Sequence, residues 1–206
     1  MTTRIADRIR RYINDRWYIK RCILEGLINK SALARKITKE LNIDSFDAVH
    51  MALRRTRIDD DSIGRKIQWI LTNSRIEVRT GIEIAIGKDN LQKVIEVALE
   101  AYSHGEEFHL LQQPRVWVAI APAQYTRKLK EFSFKYHEDV VELVIRSPEE
   151  IEEVPGVLSE ILDRFRSRKI NIIEFLSCWS DTILIIDKDT LQEALEALEG
   201  LIKQKI

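Results

Sequence analysis

Apolar residues change their spacing once along this chain, and the change divides it. Up to residue 60 they recur at intervals of three and four. Ile5, Ile9, Tyr12 and Ile13 predict an amphipathic helix over Arg4 to Arg16, and Ile19, Ile23 and Leu24 continue the pattern over Trp17 to Leu27. In INKSALARKITKELNIDSFDAVHMALRRTR, Ser31 is placed to cap a helix carrying Leu33, Ala34, Ile37 and Leu41. Asn42 and Asp44 break it, and Asp44 or Ser45 caps a second helix carrying Phe46, Val49 and Leu53. Two short helices joined by a polar turn give a helix-turn-helix outline, with the second helix as the recognition element. Asp59 to Ser62 reads as a hinge or cap, and Ile63 to Ser74 as a connecting helix.

From Arg75 the period becomes two. RIEVRTGIEIAIG reads as a strand, LQKVIEVALEAYSH as a helix, FHLLQQ and RVWVAIAP as strands, and AQYTRKLKEF as a helix. FSFKYHEDVVELVIR reads as two strand segments meeting near His137. Pro155 to Arg168 then reads as a helix, INIIEFLSC and TILIIDK as a hairpin around Trp179 to Asp181, and LQEALEALEGLIK as a closing helix. Both parts repeat β-α-β-β-α. The predicted fold class is therefore α+β, with an N-terminal helical, helix-turn-helix-like module over 1–60 and a connecting helix over 61–74. Two ferredoxin-like βαββαβ units follow, over 75–138 and 139–206. Only Gln204, Lys205 and Ile206 remain for the last strand of the second unit. FSFKYHEDVVELVIR is long enough for the two units to share one sheet or to exchange strands, and either arrangement leaves Asn171 to Lys188 near an edge or face that a second chain could cover, so a homodimer through the C-terminal part is expected, with Ile173, Phe175 and Leu176 at the contact.

Composition adds a compartment and a partner. The chain has 206 residues, 45% apolar and 32% charged, and no run near the ~18 apolar residues of a membrane helix. No membrane partner is expected. An N-terminus without an apolar signal core and two lone cysteines, Cys22 and Cys178, point to a cytoplasmic protein. The net charge of zero conceals an asymmetry. Residues 1–75 hold 17 Lys and Arg against 9 Asp and Glu, and the remainder 16 against 24. A basic N-terminal module fits contact with phosphate, which makes Lys30, Arg35, Lys36, Arg54, Arg55 and Arg57 the expected contacts to duplex DNA. Docking of the two oppositely charged parts is the other use of the same asymmetry.

No motif for nucleotide cradling, zinc hydrolysis or acyl transfer occurs. The nearest to a metal site is SHGEEFH, where His104 and His109 flank Glu106 and Glu107. Gly105 stands where a helix C-cap belongs and a histidine in the last turn favours the dipole, so this segment reads as a helix end. No catalytic residue, metal or cofactor is expected. Trp17, Trp69 and Trp117 read as packing residues, and Trp179 as a hairpin tip at an interface or over a core edge.

One turn carries candidate chemistry. In VPGVLSEI, Pro155 suits the first position of a helix and Gly156 removes the Cβ that would keep other groups from the backbone. An exposed helix N-terminus of this kind can hold a carboxylate. Together with Lys169 to Ile172 and the hairpin from Ser177 to Asp181, this stretch resembles the ACT domain, an amino-acid-sensing module, and within it the regulatory end of aspartate kinases. The part from Arg75 to Tyr136 resembles an ACT domain only in its order of elements. The whole chain is similar to archaeal proteins with an N-terminal helical module and a C-terminal ACT domain, thought to regulate amino-acid metabolism. The resemblance implies a small effector, an amino acid, at Glu153, Val154, Pro155, Gly156, Val157 and Leu158, with an opposite wall over Asn171 to Glu174, where Asn171 and Ile172 are the expected contacts, and with Asp181 as a further contact. Val154 departs from the Asp or Asn that many ACT turns carry there. The function expected is a non-catalytic, ligand-responsive regulator of amino-acid metabolism that binds DNA through its basic module. The alternative is a regulator that docks on a metabolic enzyme and leaves DNA alone.

Overall fold

The computed structural model describes residues 4–56 and 62–202. Arg57, the Asp59–Asp61 run and the terminal Gln204, Lys205 and Ile206 lie outside the described residues. The chain divides into two units, Met1–Asp61 and Ser62–Ile206. Among the described residues no helix is long and apolar enough to cross a membrane.

The first unit holds α1 (Ile5–Asn14), α2 (Trp17–Leu24), α3 (Lys30–Glu40) and α4 (Phe46–Arg55). Their apolar stripes meet in one core of Ile9, Tyr12, Ile13, Ile19, Leu33, Ala34, Ile37, Val49 and Leu53. The cap of α3 is Asn29, whose side chain accepts from the N–H groups of Ser31 and Ala32, each at 3.0 Å. Ser31 therefore lies inside the helix, and its hydroxyl reaches His50 Nε2 at 3.3 Å instead of capping. Ser45 caps α4, accepting from Ala48 N–H at 3.2 Å. Buried Tyr12 donates to Glu40 at 2.8 Å, and burial followed by that bond pushes the phenol up to about 12.

In the second unit α5 (Ser62–Thr72) precedes β1 (Arg75–Gly87), α6 (Leu91–Ser103), β2 (His109–Gln113), β3 (Val116–Pro122) and α7 (Ala123–Thr126). Next come a 3-10 segment over Arg127–Phe132, β4 (Ser133–Arg146), a second 3-10 segment over Glu149–Glu153, and α8 (Val157–Ser167). The unit closes with β5 (Ile172–Cys178), β6 (Asp181–Asp187) and α9 (Leu191–Glu199). All six strands form one antiparallel sheet in the order β2-β3-β1-β4-β6-β5.

Two long strands make one sheet out of two halves. Ile82 to Gly87 of β1 pair with β3 and with the first half of β4. Val140 to Arg146 of β4 pair with β6, and Arg75 to Arg79 of β1 lie on their other side. Each half thus has the ferredoxin-like strand order, and the fourth strand of the second half is the start of β1. β4 is one strand, where two segments meeting near His137 were also expected, and it carries both halves in one sheet, one of the two arrangements expected of them. The second half presents no open edge beside β4, because Arg75 to Arg79 satisfy its N–H and C=O groups.

The sheet curls where the halves join. Register shifts bracket Ile82 on β1, where Gly81 and, across the pair, Asp139 have positive φ of 74° and 52°. Beyond these bulges the helix-free face closes on itself. Ile82, Ile84 and Ile120 of one half share a buried cluster with Val140, Val144, Ile183 and Ile185 of the other. Ile173 and Leu176 pack against that cluster, so two of the three residues expected at a dimer contact face inward, while Phe175 is exposed. The outer faces carry the helices. Ala85, Trp117, Ala119 and Ala121 are covered with α6 and α7 residues, and Val141, Leu143, Ile145, Leu184 and Ile186 with residues of α5, α8 and α9.

Gly87 marks the tightest approach in the first half. A Cβ there would lie 2.1 Å from the ring of Trp117 and 2.6 Å from the Phe132 carbonyl. Trp117 is fully buried and its indole N–H donates to Asp89 O at 2.7 Å, so the ring has nowhere to move. Gly87→Ala is expected to cost about 1–3 kcal/mol of stability, read as a lower urea midpoint, through overpacking against that ring.

Candidate effector turn and charged seam

The turn between β4 and α8 is built from backbone. Val154 and Val157 point into the core beside Ile70, Leu71 and Ile161, which leaves Pro155 and Gly156 at the surface. Gly156 is the residue before the first helical one, with a φ of 99°, and no side chain caps α8. Pro155 consequently precedes the cap and does not open the helix as expected, because the left-handed turn at Gly156 is what brings Val157 inward. A Cβ on Gly156 would sit 3.2 Å from Ile67 Cδ1 on α5. Any other residue at this φ is strained with or without a ligand. The uncapped first turn of α8 offers free N–H groups and the positive pole of the helix. Exposed Glu149, Glu150, Glu152 and Glu153 come just before it, a charge that draws an ammonium group and repels a carboxylate.

The remaining expected effector residues separate along the sheet. Asp181 starts β6 opposite Arg146, at the end of the sheet from which the turn departs. Its carboxylate lies 3.2 Å from Arg146, which also holds Glu77 at 3.1 Å. Asn171 and Ile172 lie at the other end. Ile172 pairs with Ile186, five positions from the Asp181 row, or about 17 Å at the rise of a strand. Within one chain, Glu153 to Leu158 and Asp181 thus share an end of the sheet, and Asn171 and Ile172 do not join them. Trp179, at the hairpin tip, is 63% exposed.

A second constellation comes from residues that are distant in sequence. Glu142 sits in the middle of the apolar run VVELVIR with its side chain 2% exposed. Arg79 donates to it at 2.9 Å, donates to Glu77 at 2.8 Å and pairs with Glu107. His109 Nε2 lies 3.3 Å from the same carboxylate, although β3 and β1 separate β2 from β4 in the sheet. Across a flat sheet those strands would be about 14 Å apart, so this contact exists only because the sheet curls. Ligand atoms of Glu107, His109 and Glu142 lie within 4.8 Å of one another, spacing that a cation could use, but Arg79 already brings positive charge to both carboxylates. His104 parts from this group. It ends α6 as expected, with Nδ1 2.9 Å from Glu100 O. A charge inside an apolar strand was the signal available for Glu142. Glu83 in GIEIAIG carries the same signal, and it accepts from Tyr136, from Arg127 at 2.9 Å and from Thr126 at 3.3 Å.

Burial raises the Glu142 carboxyl, but the hydrogen bonds from His109 and Arg79 outweigh it and hold the group below its ordinary value. Burial is likewise outweighed at Glu83 by Tyr136 and Arg127.

In the first unit the expected nucleic-acid contacts are exposed. Lys30 opens α3, Arg35 and Lys36 lie on its surface beside Lys39, and Arg54 and Arg55 occupy the last turn of α4. Lys36 also pairs with Glu40 at 3.3 Å.

Arg79→Ala would leave Glu142 buried and without its guanidinium, at an expected cost of about 3 kcal/mol or more at neutral pH. A carboxyl with a depressed folded pKa stabilises above its unfolded value and loses that contribution as pH falls through the folded one. Wild-type stability should therefore decline as pH falls below the ordinary glutamate value of 4.5. In the variant only His109 still opposes burial, so the Glu142 carboxyl takes up its proton at a higher pH than in wild type, and protonation relieves the buried charge. The deficit relative to wild type, read from urea unfolding at neutral pH and at about pH 4, should shrink on acidification.

Comparison with known proteins locates this fold. No family model matches the chain, and no curated protein does. Among solved structures, aspartate kinase from Clostridium acetobutylicum is 9% identical with a TM-score of 0.51, over 61% of this chain and 33% of that one. The regulatory subunit of aspartate kinase from Thermus thermophilus is 14% identical with a TM-score of 0.47, over 61% and 95% of the two chains. That from Thermus flavus is also 14% identical, with a TM-score of 0.48 over 64% and 98%. The chain spans about a third of the Clostridium enzyme, and at these identities the likeness is one of fold. The C-terminal part of this protein is ACT-like in fold, of the kind seen in aspartate kinase regulatory domains.

Proposed function

We propose that this protein is a regulator that responds to a small effector, an amino acid, bound at the turn leading into α8. The uncapped N-terminus of α8, with Gly156 holding the backbone open on an ACT-like fold, is the observation that carries this reading. The α8 N–H groups take the ligand carboxylate and the acidic approach from Glu149 to Glu153 takes its ammonium. Output runs through the basic helical unit, whose Lys30, Arg35, Lys36, Arg54 and Arg55 contact duplex DNA phosphates. A second reading has its own observation. Trp17, Tyr18, Leu24 and Leu27, on and just after α2, are large and exposed, which fits docking on another protein, such as a metabolic enzyme, better than contact with phosphate.

A thermal-shift screen with the twenty amino acids tests the effector. The true ligand at a hundred times its dissociation constant should add about 2.7 kcal/mol of stability. Its carboxamide should add little, since a neutral amide gains little from the helix pole. Stabilisation by none of the twenty, or equally by acid and amide, would sink the reading. Binding to generic duplex DNA separates the two outputs. Its log affinity should fall with log salt by about 0.9 for each phosphate neutralised, and Arg54→Ala with Arg55→Ala should make that slope shallower. Absence of binding at low salt leaves the docking reading.

A further inference from the structure

The charged seam holds more negative charge than its guanidiniums balance. Four carboxylates, those of Glu77, Glu107, Glu142 and Asp181, share two cations, Arg79 and Arg146. While His109 is neutral, these contacts leave two negative charges over. The fold does not require the innermost of them. Paired positions run His109–Ile120–Ile84 across the first half and Glu174–Ile185–Glu142 across the second. Ile84, fully buried, thus holds in one half the place that Glu142 holds in the other. An aliphatic side chain fits there, and apolar residues in place of a buried ion pair are often neutral or stabilising. The carboxylate of Glu142 serves something that an isoleucine cannot.

Its oxygens are shared between two neighbours. Oε1 accepts from Arg79 at 2.9 Å, whereas His109 Nε2 lies 3.3 Å from Oε2 and 3.4 Å from Oε1. A charge-assisted N–H···O bond is shorter, ~2.7–2.9 Å. The separation from Oε2 matches instead the edge of a zinc tetrahedron, roughly 3.3–3.4 Å between ligand atoms when the metal–ligand bonds are ~2.0–2.1 Å. Glu107 is engaged on one side only, since Arg79 takes its Oε2 and leaves Oε1. One ligand atom from each of Glu107, His109 and Glu142 lies within 4.8 Å of the other two. Glu107, its side chain 55% exposed on the loop between α6 and β2, can close the remaining distance by rotation and gives an ion a way in from solvent.

We propose that Glu107, His109 and Glu142 hold a divalent transition-metal ion, zinc, with water in the fourth position. The two charges of the ion cancel the excess at the seam. Arg79 stays on the outer oxygens and orients both carboxylates, as hydrogen-bond partners of metal ligands do. One imidazole with two carboxylates suits zinc better than magnesium or calcium, which take oxygen ligands. Because His109 stands on β2 and Glu142 on β4, the ion ties the first half to the second across the curl, and its binding adds to the stability of the fold. His104 and Glu106, the other members of SHGEEFH, take no part. The site holds whether or not an amino acid binds at the α8 turn.

The experiment is calorimetric titration of the full chain, untagged and stripped of metal with a chelator, with Zn2+ alone, while melting is followed in parallel. Wild type should bind one equivalent of zinc and melt higher as zinc is raised. Glu107→Gln, at an exposed position, should melt near wild type without metal and raise the zinc dissociation constant by more than about tenfold. His109→Ala should raise it at least as far, and the readout is the zinc-dependent shift, which a merely structural role would not remove. Should that variant lose structure, Glu107→Gln carries the test alone. His104→Ala should leave the constant unchanged. Magnesium at the same concentration should shift melting little, because it keeps its water and seeks oxygen. Absence of zinc binding by wild type overturns the proposal. So does zinc binding that a structured Glu107 or His109 variant leaves unchanged, that His104→Ala abolishes, or that magnesium reproduces.

Discussion

Every buried strand must have its N–H and C=O groups paired on both sides, and in this protein one pair of strands meets that requirement for two half-sheets at once. β1 and β4 run through both halves: the end of β1 is an inner strand of the first, its start the outer strand of the second, and β4 does the reverse. The second half is not complete alone, since its outer strand is the start of β1. The order of elements in sequence repeats, but the hydrogen bonds cross the repeat, so cutting at its midpoint would expose an edge in both pieces.

The same two strands set the curvature. Opposed one-residue slips near Ile82 and Asp139 bend the sheet without a net change of register, since Arg79 faces Glu142 and Ile84 faces His137 with the same offset. Curling buries the inner aliphatic face of a sheet that has helices only on its outside. It also brings His109 to Glu142 and makes a seam of charge at the margin of an apolar core. A carboxylate buried as deeply as Glu142 is costly to desolvate, and Arg79 and His109 offset that cost by bonding it from both halves. The ionic contacts hold the curl in register where aliphatic packing alone would tolerate a slip.

The proposed effector turn follows from the same geometry. Val154 and Val157 are drawn into the core beneath α5, so only the backbone around Gly156 is left to meet a ligand. A ligand on such a turn would meet only charge and the shape of a main chain. The turn has little side-chain surface of its own.

Local pattern accounts for a large part of this. The four N-terminal helices, the alternation of strands and helices from Arg75 onward, and the Pro-Gly turn before α8 all show in residue periodicity, because each depends on neighbours within one or two turns. Even the cap of α4 was legible to within one residue, Asp44 or Ser45, although that of α3 proved to be Asn29. A sheet shared by the two parts was one of two arrangements the long FSFKYHEDVVELVIR run suggested, but the pairing partners were not legible. Nothing near Arg75 states that it completes the strand order of β4, β6 and β5, since that depends on where the far end of β4 lies. The seam escaped for the same reason: Glu107 and His109 were visible as a local group, but Arg79 and Glu142 joined them only when the sheet curled. Short-range periodicity and caps are enough to say which segments are helices and which are strands. Which strand fills which place is settled only in the folded chain, because long-range hydrogen bonds and burial do not exist until it closes.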